Sequence, residues 1–448
     1  MSLKVPYGIQ TYKRYDLPRV RLVNLYAERI VTGKDQIALL PRPALRRTSQ
    51  LGSGPINGIF QQTNVAENNL LVLSGDSLFA GGLDKGSVGS GGIAQFAGVD
   101  GAAMFTRGQG LYRLSAGTLA QVPFPDDANV TSVVYLAGYA LAARANSRRI
   151  YFTLDGATWD GLDYVSAEQS TEFIVGMSVL VDQLVVFCTT HTEMFYVTGD
   201  ADAPIQRVQG RLFDKGAKSR ESIVRMDNTV FFVGHDNVVY RVENQPSRVS
   251  DHGIEEAISK SQTAVAWSYT WQGHLFYVLQ LDDQTLAYDA ATQEWHELAS
   301  YQQPRWAGRI GFYTLNGMLI GDDRDGSLYT PDENQFADQY ETIVREFTAI
   351  VDGPAGFVDS LAVDVSNADD VTAGGLLEMR ISRDNGKNFT AYKQRALGGP
   401  GETRTRGIFR RLGLVDQTGM VIQFRLSSAV AARVSAIRVN DPGGGRAR

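Results

Sequence analysis

The chain has 448 residues, a net charge of −6, 43% hydrophobic and 21% charged residues, which are the proportions of a globular protein able to bury a large core and exclude whole-chain disorder. A single cysteine, Cys188, excludes a disulfide framework and a thiolate zinc site, and no apolar run approaches the length of a membrane-spanning helix. Forty-six glycines, 20 Phe and 19 Tyr against 14 Pro point to a β-rich protein with many turns.

The mild net charge hides a polarised distribution. Residues 1–50 hold 10 Lys and Arg against 3 acids, residues 51–375 hold 19 against 41, and residues 376–448 hold 14 against 5. An acidic block between basic ends binds duplex DNA poorly, because affinity follows phosphate neutralisation. Such a block could instead line a passage through which DNA slides without sticking. The start of the chain lacks the apolar region and cleavage site of a signal peptide, so assembly in a cytoplasm is expected.

Residues 1–50 are rich in Arg, Tyr and Pro, match no repeat, and read as an extended basic arm ending near Pro41-Arg42-Pro43. A loose repeat of about 30–45 residues then fills positions 51–352. Its units begin near 56, 94, 130, 171, 218, 264 and 305. Each carries short β-rich runs divided by Gly, Asp or Asn turns. A buried run such as Leu70-Leu71-Val72-Leu73 or Leu184-Val185-Val186-Phe187-Cys188 is followed by a strand ending in an aromatic residue, as in Leu78-Phe79, Leu111-Tyr112, Ile150-Tyr151-Phe152 and Leu328-Tyr329. Three or four short strands per unit, stacked radially, predict an all-β fold, a β-propeller of six or seven blades, with one blade split between the chain ends to close the ring. The pattern predicts one helix, over Ile254–Lys260, capped by Asp251. Residues 356–440 alternate over Phe357–Val365, Leu376–Ser382 and Val421–Leu426, which predicts a small antiparallel β-sandwich. The tail at 441–448 is expected to be disordered.

The residues that could carry chemistry are sparse. His191, His235, His252, His274 and His296 have no metal-binding spacing and read as turn or packing residues. The glycine run 86–92 lacks the Lys-Ser/Thr and following helix of a phosphate loop. Asp322-Asp323-Arg324-Asp325-Gly326 lacks the later glutamate of a calcium loop and reads as a hairpin. No Gly-x-Ser-x-Gly elbow occurs, and no carboxylate pair stands out as a glycosidase would require. Ser382, Asp384, Gly386 and Phe389 match the Asp-box pattern Ser-x-Asp-x-Gly-x-x-aromatic, and Thr153–Trp159 is a version one residue short. That box is a hairpin device, in which Asp bonds turn N–H groups over a buried aromatic ring. These residues call for no catalytic, metal or cofactor site.

Several phrases fit together: Arg21-Leu22-Val23-Asn24-Leu25-Tyr26-Ala27-Glu28, Leu40-Pro41-Arg42-Pro43-Ala44-Leu45, Gly273-His274-Leu275-Phe276-Tyr277-Val278, and Tyr288-Asp289 leading to Trp295-His296-Glu297. The chain resembles the tail hub, or nozzle, proteins of short-tailed bacteriophages, the P22-type packaged-DNA stabilisation proteins. The resemblance implies a non-enzymatic virion protein of the phage tail, forming a ring, typically a hexamer, below the portal and its head-to-tail adaptor. That ring extends and helps close the DNA channel, carries tail fibres or spikes and a plug or needle, and passes double-stranded DNA without sequence-specific contact. Under this reading Lys13, Arg14, Arg19, Arg21 and Arg29 dock on the adaptor or a neighbouring subunit. The competing readings are a glycan-binding propeller and a sialidase-like glycoside hydrolase.

Overall fold

The computed structural model describes residues 2–9, 19–29, 37–65, 69–108, 110–167, 172–200, 203–366, 375–398, 402, 404–415, 419–430 and 433–440. The chain forms two compact units, one of residues 47–282 and 307–330 and the other of residues 1–46, 283–306 and 331–448.

The first unit is a β-propeller. Blade 1 is the meander Ile56–Gln61, Leu70–Ser74, Ser77–Ala80, Leu83–Ser87; blade 2 is Gln95–Val99, Ala102–Arg107, Gly110–Ser115, Thr118–Gln121. Blade 3 is Val130–Leu136, Tyr139–Arg144, Arg149–Thr153, Tyr164–Ser166, and blade 4 is Ile174–Leu180, Gln183–Cys188, Thr192–Val197, Ile205–Phe213. Blade 5 is Val224–Met226, Thr229–Val233, Val239–Val242, Pro246–Arg248, and blade 6 contributes Val265–Trp271 and His274–Gln280 to this unit. Blade 7 is Gly308–Thr314, Gly317–Asp322 and Ser327–Asp332, and its fourth position is taken by Ala44–Gln50 from ahead of blade 1. The first strand of each blade packs on the first strand of the next, and Gly308–Thr314 packs back on Ile56–Gln61. The ring therefore closes with seven blades, within the predicted range. The shared blade fastens it: the Thr48 hydroxyl donates to the Leu328 carbonyl at 3.0 Å and the Leu51 N–H to that of Gly326 at 2.8 Å.

Successive side chains point to opposite faces, so blade strands that are largely apolar bury both faces against their neighbours. Leu71, Leu73 and Leu78 of blade 1 share a cluster with Ala103, Phe105 and Leu114 of blade 2, and Cys188 lies in the cluster between blades 3 and 4. Glycines in the inner strands set the blade spacing. A Cβ on Gly58 would stand 2.5 Å from the Phe96 ring, and one on Gly311 would stand 2.5 Å from Trp267. Among the described residues the only α-helix is His252–Lys260, close to the predicted span. Asp251 caps it as expected, accepting from the Gly253 and Ile254 N–H groups at 2.8 and 2.9 Å.

The second unit is a two-sheet sandwich. One sheet has the order Thr285–Asp289, Glu294–Leu298, Leu22–Val23, Arg345–Asp352, Met420–Leu426, Gly375–Ser382, Lys393–Leu397, with Ser2–Lys4 also beside Arg345–Asp352. The other has the order Leu25–Arg29, Ile37–Pro41, Arg433–Val439, Gly356–Ser366, Arg404–Val415. Phe347 stacks on Phe424 at 4.7 Å within the first sheet, and Phe409 of the second reaches Phe424 at 6.2 Å, so the core lies between the sheets.

This division differs from the one expected at 1–50, 51–352 and 356–440. The described parts of 1–46 are not a separate arm, because Val20, Leu22, Val23, Leu25 and Tyr26 are buried and supply strands to the sandwich. The Arg345–Asp352 strand, expected with the propeller, is central to the sandwich. The tail at 441–448 lies outside the described residues.

Candidate interaction surfaces

The basic N-terminal segment folds into a polar knot within the sandwich unit. Asn24, at a positive φ of 56°, leaves Leu22–Val23 in one sheet and starts Leu25–Arg29 in the other. Its side-chain oxygen accepts from the Ala299 N–H and from Arg42 Nε, and its amide donates to the carbonyls of Ala299 and Val344. Arg42, whose side chain is 1% exposed, forks onto Asp338 at 2.9 and 2.5 Å and lies 5.3 Å from the Trp306 ring centroid. Asp338 also accepts from the Leu45 N–H at 2.9 Å. Burial, and after it the Arg42 charge, pulls the neighbouring Arg345 guanidinium down to about 10. Arg21 forks onto Glu297 and reaches Glu346 at 2.8 Å. The phrases at 21–28, 40–45 and 295–297, far apart in sequence, thus meet here as structural elements.

The expected docking residues separate in this light. Arg21 is spent on two carboxylates of its own chain, whereas Arg19 is exposed. Arg29 is exposed with one long bond to the Thr292 carbonyl at 3.4 Å. Lys13 and Arg14 lie outside the described residues.

The Asp-box residues form the turn their pattern describes. Asp384 accepts from the Ser382 hydroxyl at 2.6 Å and from the Asn388 N–H at 2.9 Å, with Gly386 at φ +82°. The Asn388 N–H, then the Ser382 hydroxyl, holds the Asp384 carboxyl far below its usual range. Phe389 lies beneath Arg380, 4.5 Å from the guanidinium carbon. The shorter version is also a turn: Asp155 takes the N–H groups of Thr158 and Ala157 and the Thr153 hydroxyl, which depresses it to about 2, while Trp159 is buried beside Phe124.

The sandwich also carries a basic sheet surface. Three neighbouring strands, Gly356–Ser366, Arg404–Val415 and Arg433–Val439, contain six arginines and two aspartates. Asp364 pairs with both Arg406 and Arg438, and Arg404, Arg410, Arg411 and Arg433 are exposed. The outer edge of Arg404–Val415 is blocked, because Arg395 covers the Ile408 carbonyl and Arg383 those of Leu412 and Leu414.

The propeller has two unlike loop sides. Successive turns of a meander alternate between strand ends, so the first and third turns of every blade share one side. Bonds between blades there confirm it: Leu315 N–H to Gln61 Oε1 at 2.8 Å, and Gly117 N–H to the Val65 carbonyl at 3.0 Å. None of these turns contains Lys or Arg. They expose Asp100 in blade 2; Asp155, Asp160 and Asp163 in blade 3; Asp182 and Asp200 in blade 4; and Asp227 and Glu243 in blade 5. The opposite side is mixed in sign and tied down. Arg220, ahead of blade 5, donates to the Ile93 carbonyl ahead of blade 2, and Arg107 donates to the carbonyls of Gly75, Gly89 and Gly92. The glycine run 86–92 is thus anchored by arginines of its own unit. Sequence reading registered an acidic block but not its one-sided placement; the absence of Lys and Arg from alternate turns was the available signal.

The titratable groups singled out in the sequence sit in packing and turn roles. Burial, then Glu193, pushes the Cys188 thiol up to about 12, so it is no nucleophile at neutral pH. His191 sits 3.1 Å from Glu193, in the third strand of blade 4, and 3.4 Å from Glu172. Glu172 is depressed to about 2, first by the Thr190 hydroxyl and then by that of Thr189. Among the described residues no group of three His, Cys, Asp or Glu is placed to hold a metal ion. Asp322–Gly326 is a hairpin, with Asp322 accepting from the Tyr329 hydroxyl at 2.8 Å. Among the described residues no helix is long and apolar enough to cross a membrane.

A family model described as Bacteriophage P22 Gp10, beta-propeller, matches residues 1–335. No curated protein matches the sequence. Among solved structures, the chain is similar to BBS1N from its complex with ARL6DN, with 10% identity, a TM-score of 0.43, and 65% of this chain and 98% of that one covered. It is similar to the computationally designed Ika8 protein, with 13% identity, a TM-score of 0.39 and coverage of 73% and 100%. It is also similar to an exo-β-1,3-galactanase from Phanerochaete chrysosporium, with 9% identity, a TM-score of 0.28 and coverage of 68% and 95%. Likenesses this loose carry no argument about function.

Proposed function

The chain belongs to the P22 Gp10 β-propeller family of bacteriophage stabilisation proteins, and from that membership we propose that it is the hub, or nozzle, of a short tail. It is a phage structural protein, and the finer role is as follows. Copies assemble, in the host cytoplasm, into a ring, typically of six, below the portal and its adaptor. The ring extends the DNA channel, helps retain packaged DNA, conducts it at ejection, and carries fibres or spikes and a plug or needle.

The family match over three-quarters of the chain carries this reading. The charge distribution supports it. A propeller side whose turns carry acids and no Lys or Arg repels phosphate, so passing duplex is not held by those turns. The exposed Arg19 and Arg29, with Lys13 and Arg14, dock on the adaptor or the next subunit. Arg21 braces the strands behind them.

The test is the native mass of the purified protein, alone and with a candidate adaptor ring. A closed ring, or a monomer that becomes one on the adaptor, is expected. A strict monomer that ignores the adaptor refutes the reading. Arg19→Glu is expected to weaken adaptor capture without changing the fold, whereas Arg21→Glu also sets a third carboxylate against Glu297 and Glu346 and destabilises the unit.

A further inference from the structure

The acidic turns on one side of the propeller are more than a repulsive wall. The same turns expose large apolar side chains: Leu154 at 67%, Leu162 at 85%, Val181 at 68% and Leu315 at 83%. A surface only required to repel phosphate needs no such residues. Exposed apolar groups set among charges of one sign are the composition of a protein-docking surface, and the sign calls for a basic partner.

The chain itself carries a surface of that chemistry. The sheet strands Gly356–Ser366, Arg404–Val415 and Arg433–Val439 present the surplus of arginine described above. Phe357 and Leu414, cross-strand partners at the end of two of them, are 73% and 48% exposed. Acid with apolar on one surface answers base with apolar on the other.

The geometry points to a head-to-tail contact between copies, in which the acidic turns of blades 2–4 of one copy dock on the arginine-rich sheet surface of a second. Two different patches used in this way make a heterologous interface, which closes into a ring when the rotation allows. This deepens the ring reading proposed above and rests on it. Between exposed groups the attraction is spread over several weak pairs, so the contact is salt-sensitive.

The test uses two charge-reversed full-length chains and sedimentation of the assembled species at low and high salt. One carries Asp100→Lys, Asp163→Lys and Asp182→Lys; the other carries Arg404→Glu, Arg410→Glu and Arg433→Glu. Each alone sets like charges across the contact and is expected to associate on the order of tenfold more weakly than the native chain, or worse. Mixed in equal amounts, the two are again complementary and are expected to reassemble, which also shows that both are folded. Native-like assembly of either variant alone, or a mixture that stays dissociated, overturns the contact. Unchanged assembly with lost retention of a short DNA duplex by the arginine variant would reassign that surface to phosphate, and likewise overturns it. In those cases a native chain that still forms rings leaves the hub reading standing. A native chain that stays monomeric with the adaptor removes the hub reading and this contact together.

Discussion

Replacing Arg42 by Met should be among the most damaging single changes in the sandwich unit. Met fills much of the same volume but removes every donor. In the native chain Arg42 makes five bonds, to Asn24 Oδ1, the Pro43 and Ala299 carbonyls and both Asp338 oxygens, at 2.5–3.3 Å. After substitution the Asp338 carboxylate, 10% exposed, keeps the Leu45 N–H and the charge of nearby Arg345 but loses its paired guanidinium. Removing one partner of a buried pair costs about 3–5 kcal/mol, because the other charge is left uncompensated. With a urea slope of about 2 kcal/mol per M, the midpoint falls by roughly 1.5–2.5 M. Urea unfolding followed by tryptophan fluorescence suits the test, since Trp306 lies under the guanidinium. Arg42→Lys should recover only part of the loss, because an ammonium cannot fork onto the carboxylate. The double variant Arg42→Met with Asp338→Leu should lose less than the sum of the two single variants, since it removes both members of the buried ion pair together. A cost for Arg42→Met below about 1 kcal/mol, or a double variant that simply adds the two single costs, would refute the reasoning.

Other outcomes follow from the propeller unit. Gly58→Ala should destabilise by about 1–3 kcal/mol in thermal unfolding, because its Cβ meets a Phe96 ring fixed between Phe60 and Phe105; an unchanged melting temperature would count against the tight blade spacing. Cys188 should resist a thiol reagent at neutral pH until the chain unfolds, and rapid labelling of the native protein would contradict its burial. Asp155 and Glu172, both depressed to about 2, stabilise the fold fully above their unfolded values near 4, and that contribution drains away as pH falls toward 2. Their exposure keeps the effect small. Glu172→Gln should flatten the fall of the urea midpoint between about pH 4.5 and 2, and an unaltered profile would remove Glu172 as a contributor.

Much of the propeller was legible because its signals are local. Short apolar runs such as Leu70–Leu73 and Val230–Val233, punctuated by Gly and Asp turns, specify strand and meander within about 30–45 residues. The Asp251 cap and the turns at Asp155 and Asp384 depend on neighbours two to four residues away. The family phrases were legible too, although their role was not. Nothing in Arg21, Asn24 or Arg42 says locally that their partners are Glu297, Val344 and Asp338, more than 270 residues on.

The sequence by itself therefore determined the all-β class, the repeating blades, the inert cysteine and the polarised charge, since each follows from residue type and short-range spacing. Only the tertiary structure decided that the blades number seven, that the N-terminal segment builds a sandwich with the C-terminal strands, and that the acids of alternate turns gather on one side of a ring. These depend on which distant strands pair, and strand pairing is paid for by packing and hydrogen bonds across long loops, which a local pattern does not encode.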